Sequence, residues 1–318
     1  MSEVERFRSA HHLNEVNKEV REARTIKDGS KDRTIGDVEE TNRIILEAAY
    51  RKALDTETDQ IQEENFSNVY TADEIESNLR LVRDLEEKFA QQNESEPSKE
   101  EIMRLGRILE AIVIEQIELN EWLGEHVKTQ QTTRFDDYTN GIDFIAEFED
   151  IGKHLGFAID ATSGHDKTIE KKLDRIRKKI MRGEMGEVRY FRSSDGFLKG
   201  KMELLPTVVL AIERKTLVHL ARLWVQGKQS ELARHPVKYF FFHEVLVQLE
   251  AQLRFAKELK ERGKLKNEYI LVRLNEQVEF MKKSVPDDLM KVLDQNFDHG
   301  HRYVSVLSSR VFSYDYEK

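Results

Sequence analysis

Cysteine is missing from all 318 residues, and that removes three chemistries at once: a disulfide framework, a thiolate zinc site and a cysteine nucleophile. Proline occurs 4 times and glycine 15 times, too few for a collagen-like or low-complexity chain. No apolar run approaches the ~20 residues that a membrane-crossing helix takes. The N-terminal MSEVERFRSAHHLNEV has no apolar signal core. These absences lead to the expectation of a reducing, cytoplasmic setting without a membrane. Positive charge is also short: the formal balance is −9, against the basic surface that general nucleic-acid coating uses. A local basic patch stays compatible with that balance, because exposed charges act over about 10 Å at ordinary salt.

What is abundant is charge and helical pattern. Charged residues make up 35% and hydrophobic residues 39%, which favours helix and leaves enough apolar material for a core and two domains. Residues 1–40 are polar with weak periodicity, DGSKDR at 28–33 reads as a break, and the segment is expected to be a flexible arm. Residues 41–97 read as a helical N-terminal region. A first helix falls within 41–66 through Ile44, Ile45, Ala48 and Ala49. A second opens at the capping box Thr71-Ala-Asp-Glu74 and carries Ile75, Leu79, Val82, Leu85 and Phe89 at helical spacing. QQNESEPS at 91–98 reads as a linker, and Ser98-Lys-Glu-Glu101 as a second capping box. The helix that follows, to about 123, is apolar around much of its circumference at AIVI, 111–114, and Gly124 ends it.

In the middle of the chain the period changes from helical to alternating. Asn140-Gly141 supplies a turn, and Ile142, Phe144 and Ala146 alternate with Asp143, Ile145 and Glu147. GFAIDATS at 156–163 is a second strand, Val188 to Phe191 a third, and LLPTVVLAIE at 204–213 a buried one. Helices over 167–182 and about 214–226 complete α/β (α+β) patterning for a core at 98–230. Residues 231–318 read as a helical C-terminal region, with RYVSVLSSRVFSYDY as a closing strand. The apolar FFFHEVLVQL helix and the N-terminal arm are candidate faces for a homo-oligomer or a protein partner.

The chemistry concentrates between Thr133 and Lys179. Asp143 lies early in one strand and Asp160 late in the next, with a hairpin loop expected at GKHLG. Acids at the same end of adjacent strands can share one Mg²⁺ or Mn²⁺, which takes one or two carboxylates plus water and phosphate oxygens. An ion held that way activates water and stabilises charge on a phosphate. On the helix that follows, Ile169, Leu173, Ile176 and Ile180 mark the apolar face. Lys171 points opposite that face, while Lys172 and Lys179 lie on its borders. A border lysine can snorkel towards the sheet rim, so Lys172 is the candidate that joins the acids. Asp136 and Asp137 read as turn and capping acids. Glu213-Arg214-Lys215 is a lower-ranked second acid-and-lysine arrangement, because an acid there suits the start of a helix. His11-His12 and His299-Gly-His301 read as surface residues, Ser163-Gly164-His165 lacks the setting of a triad, and Trp224 and Phe240-Phe241-Phe242 read as core.

FDDYTNGIDFIAEF, LGFAIDATSG and the KKLDRIRKKI helix resemble the PD-(D/E)xK nuclease superfamily, and within it a poorly characterised bacterial branch, over roughly residues 100–230. The resemblance implies a small mixed sheet of the restriction-endonuclease-like type, flanked by the N- and C-terminal helical regions. It implies that Asp143 and Asp160 bind Mg²⁺ and that the substrate is DNA or RNA. The family's lysine two residues after the second acid is here Thr162; members that supply it from the following helix would correspond to Lys172. The family's helical glutamate corresponds to Glu110 or Glu115. Two functions are therefore expected. One is Mg²⁺-dependent hydrolysis of nucleic-acid phosphodiester bonds. The alternative is a catalytically inactive nuclease-fold protein that serves as a binding or scaffold subunit, motivated by Thr162, the acidic balance and the long flanks.

Overall fold

A computed structural model describes residues 35–56, 61–95, 97–125, 127–150, 153–162, 166–295, 303–314 and 316. DGSKDR, His11-His12, Ser163-Gly164-His165 and His299-Gly-His301 lie outside the described residues. The chain begins with helix α1 (Ile35–Thr56), a 3-10 turn at Glu63–Phe66, α2 (Ala72–Ser95) and α3 (Pro97–Asn120). Strand β1 (Val127–Gln131), the short α4 (Arg134–Asn140), β2 (Phe144–Asp150) and β3 (Lys153–Thr162) come next. Then follow α5 (Asp166–Arg182), β4 (Gly186–Arg192), β5 (Lys199–Leu205) and β6 (Thr207–Ala211). The remainder is helical: α6 (Arg214–Val225), α7 (Gln229–Ala233), α8 (Val237–Glu261), α9 (Tyr269–Lys283), α10 (Leu289–Gln295) and α11 (Tyr303–Val311).

The architecture is mixed α/β with helices at both ends. The main sheet has the order β1-β2-β3-β6. Its first three strands run antiparallel, with Phe144 opposite Ile159, and β6 runs parallel to β3, with Asp160 opposite Val209. Side chains alternate across the sheet as strand geometry requires. Phe144, Ala146, Phe148, Phe157 and Ile159 face a large core that runs from Ile45 to Phe312. Ile145 and Ala158 face the other way, onto Val188, Phe191 and Leu205 of the β4–β5 hairpin. Both faces of β2 and β3 are thus dry, which is why their apolar runs are nearly continuous.

The capping box at Thr71 forms as expected: the Thr71 N–H donates to the Glu74 carboxylate at 3.0 Å, and the Glu74 N–H donates to the Thr71 hydroxyl at 3.3 Å. Other expectations change. Helix α1 starts within the segment read as an arm and ends at Thr56, so 41–66 is not one helix. Helix α2 runs through most of the QQNESEPS linker to Ser95. Helix α3 starts at Pro97, a residue suited to a first helical turn and one position ahead of the cap read at Ser98, whose side chain lies outside the described residues; Glu101 pairs with Arg214 at 2.7 Å. The GKHLG loop is largely strand, since Asp150 already pairs with Lys153.

LLPTVVLAIE is two strands. Pro206 has no N–H to give a ladder and Leu204 takes a φ of 57°, so the chain leaves the β4–β5 hairpin there and enters the main sheet at Thr207. The final segment RYVSVLSSRVFSYDY contains a helix, α11, and not a strand; it packs on α8 and α5 and buries Val311 and Phe312. The β6 edge of the main sheet is covered by α8. There the Gln248 side chain donates to the Val209 C=O and accepts from the Val209 N–H, both at 2.8 Å, and Gln252 donates to the Thr207 C=O. The FFFHEVLVQL segment of α8 is therefore spent inside the chain: Phe241, Phe242, Val245 and Leu249 are buried, so it is not a free face for a partner.

Candidate active site

The short α4 sets up the first acid. Thr133 caps it by accepting the Asp136 N–H, and Gly141, at φ 63°, ends it in the left-handed region open to glycine. The chain turns there and delivers Asp143 one residue ahead of β2. Its backbone is already in the sheet's ladder: the Asp143 N–H donates to Ile159 C=O and the Thr132 N–H donates to Asp143 C=O. Its carboxylate accepts the Ala161 N–H at 2.6 Å, which ties it to the residue next to Asp160. Asp160 is buried on β3, with only 4% of its surface exposed.

Helix α5 supplies the cations. Ile169, Leu173, Ile176 and Ile180 enter the main core and fix the rotation of the helix. Lys172 then falls on the flank nearest the sheet and its Nζ pairs with Asp160 Oδ1; Lys171 is exposed. Arg175, three residues on and so on the same flank, donates from Nη2 to Asp160 Oδ2 at 3.1 Å. Lys172 is the lysine expected from the sequence; Arg175 was not expected, although its spacing from Lys172 carried the signal. Lys179 is partly buried, which pushes its ammonium pKa down, and it does not line the cleft.

The structure places the two candidate glutamates in different surroundings. Glu110 accepts a hydrogen bond from Gln131 at 2.8 Å, at the end of β1, and lines the cleft. Glu115 accepts from Gln229 at 2.6 Å and lies 3.7 Å from Lys52, so it belongs to the contact of α3 with α1 and α7, away from Asp143. Five residues along a helix is a rotation of about 140°, so the two cannot share one face. Nothing local in the sequence marked Gln131.

These groups open on a cleft of about 410 Å³ whose lining includes Glu110, Asp137, Asp143, Thr162, Lys172 and Arg175. Burial pushes the Asp143 pKa well above the usual carboxylate range, and Asp160, Glu110 and Asp137 add to the rise; Lys172 opposes it. The neighbouring Asp136 has a different task. It is fully buried and accepts the N–H groups of Arg189 and Tyr190 at 2.8 and 2.9 Å, anchoring β4 to α4. Its pKa is raised by burial, against those hydrogen bonds. Glu213 sits at the start of α6, and the motif's Arg214 is held by Glu101. Trp224 is core, with the Lys52 ammonium 4.1 Å over its ring.

Chemically, two hard carboxylates beside two cations suit a divalent ion with a phosphate. Among the described residues no group of three or more Asp, Glu, His or Cys is assembled to hold an ion. Asp143 and Asp160 would therefore fill only part of a coordination shell, the remainder being water or substrate oxygen, which is ordinary for Mg²⁺. None of the described helices is long and apolar enough to cross a membrane. No protein-family profile, curated protein or solved structure matches this chain.

Proposed function

We propose that the chain hydrolyses phosphodiester bonds of nucleic acid with Mg²⁺ or Mn²⁺, on a core of the restriction-endonuclease-like, PD-(D/E)xK type. The observation that carries the reading is the junction of Asp143, just ahead of β2, with Asp160 on the neighbouring β3, and Lys172 brought onto Asp160 from the next helix. The order of elements in the main sheet supports it: a helix, three antiparallel strands with the short α4 after the first, a helix, and, after the β4–β5 hairpin, a fourth strand parallel to the third. Burial and, after it, the crowding of negative charge raise the Asp143 pKa, and this also supports the reading, because an added cation stabilises the charged carboxylate. Asp143 and Asp160 would hold the ion, which supplies an activated water and neutralises charge on the phosphate when bound. Arg175 and Lys172 orient the phosphate, Lys172 in place of the lysine that Thr162 lacks. Glu110 with Gln131 fixes the open side of the site.

The test is cleavage of a mixed panel of DNA and RNA in Mg²⁺ or Mn²⁺ by wild type and Asp160→Asn. The variant keeps an acceptor for Lys172 and is expected to fold normally while losing about 100-fold or more of the activity. Undiminished cleavage by a clean Asp160→Asn preparation would sink the assignment.

A second reading is a nuclease-like fold without turnover. It is favoured by Thr162 and by the pairing of both Asp160 oxygens with the protein's own cations. Calorimetry separates the two: the hydrolase binds Mg²⁺ in wild type and loses it in Asp143→Ala/Asp160→Ala, whereas the inactive protein binds none with or without a phosphorothioate oligonucleotide.

A further inference from the structure

The cleft changes character away from its carboxylates. Its far wall is built where α2 ends and α3 begins: Phe89, Ile102 and Met103 line the same space as Asp143 and Lys172. Ile102 and Met103 are 38% and 42% exposed, so apolar surface lies open to water beside a charged site. Tyr138 of α4 stands edge-on to Phe89, with ring centroids 5.5 Å apart at 83°. The Tyr138 hydroxyl reaches Glu86 at 3.5 Å, and Glu86 also takes Arg134 at 2.7 Å. The aromatic pair is thus pinned between α2 and α4.

Such a wall has no part in splitting a phosphodiester, but it matches a nucleobase. Every base has an apolar face that stacks on an aromatic ring whatever its identity. A volume of about 410 Å³ falls at the lower end of small-ligand sites, ~300–1,000 Å³, and takes one nucleotide and not a duplex. The chain's formal charge of −9 points the same way, since duplex binders without sequence preference rely on many phosphate contacts.

We infer that the substrate strand enters this cleft unpaired, one base lying against the Phe89–Tyr138 wall and its phosphate directed to Lys172 and Arg175. The inference rests on the phosphodiesterase reading for the class of ligand, and it adds that single strands or frayed ends are the substrate. Its test is equilibrium binding by the full chain in Mg²⁺ of a 2-aminopurine oligonucleotide with hydrolysis-resistant phosphorothioate linkages. DNA and RNA versions are used, each alone and annealed to its complement. Quenching of the fluorescent base and at least about tenfold tighter binding of the single strand are expected. Phe89→Leu is expected to weaken that binding about tenfold and reduce the quenching. Met103→Asp, at an exposed position that does not threaten the fold, is expected to weaken it comparably by repelling phosphate. Equal affinity for strand and duplex, no binding of any oligonucleotide, or indifference to both substitutions would overturn the inference. Cleavage is measured in parallel on unmodified strands and on closed circular duplex. Circles cut as fast as strands overturn the mode of entry and leave the hydrolase reading. Stacked single-strand binding with no cleavage overturns the hydrolase reading and leaves the mode of entry.

Discussion

Asp143 sits where burial disfavours its charged form, and the neighbouring Asp160, Glu110 and Asp137 add their repulsion. Its carboxyl pKa is raised in the folded protein, and that determines how stability varies with pH. The contribution is complete below the ordinary carboxyl value of 3.8 and is lost as pH rises through the higher folded value. Metal-free Asp143→Asn is therefore expected to melt at a higher temperature than wild type at neutral pH. The gap should close as pH falls towards 4, and added Mg²⁺ should reverse it by stabilising only the wild type. Thermal melts across pH with and without EDTA check this; a gap that is constant with pH refutes it. Asp136 differs by being hydrogen-bonded on all sides. Asp136→Ala strands two buried N–H groups, of Arg189 and Tyr190, and should cost about 2–5 kcal/mol in urea unfolding.

Two elements position the site without touching a substrate. The left-handed turn at Gly141 is one. A methyl group built there would lie 2.6 Å from Arg175 Nη2, and φ is 63°. Gly141→Ala should cost about 1–2 kcal/mol through backbone strain and push Arg175 off Asp160, lowering Mg²⁺-dependent cleavage. A thermal melt and a cleavage assay on the same preparation check both effects. The other is the glutamine cover of β6. Gln248→Leu leaves the Val209 N–H and C=O buried without their partner and should cost about 2–4 kcal/mol, read from urea unfolding. Elements were also where the sequence was most legible. The α5 helix, its apolar face and the border position of Lys172 follow from a 3.6-residue period. The same reasoning failed at 91–98, where polar composition resembled a linker although helix α2 runs on to Ser95.

For the whole molecule, residues on both sides of the boundaries drawn at 98 and 230 contribute to one core. One cluster of buried residues joins Ile45, Leu109, Phe157, Val209, Phe241 and Phe312. Residues 98–230 expressed alone would lose α8 from β6 and expose Val209 and its neighbours. That fragment is expected to be aggregated or unfolded by circular dichroism and gel filtration, while the full chain unfolds in one transition. A soluble, cooperatively folding 98–230 fragment would refute this. The final helix illustrates the same dependence. Its alternating apolar residues suit a strand, yet it is helical and packs on α8 and α5.

The sequence by itself determined what is periodic or locally encoded: helical flanks, short apolar strands in the middle, the cap at Thr71, and two acids on adjacent strands with a basic helix behind them. Those features depend on residues within one or two turns of one another. The tertiary structure alone decided that Glu110 and not Glu115 lines the cleft, that Arg175 joins Lys172 on Asp160, and that α8 covers the edge of β6. Each of those outcomes depends on the rotation and packing of elements distant in the chain, which is set by the shape of the shared core and leaves no mark in local periodicity.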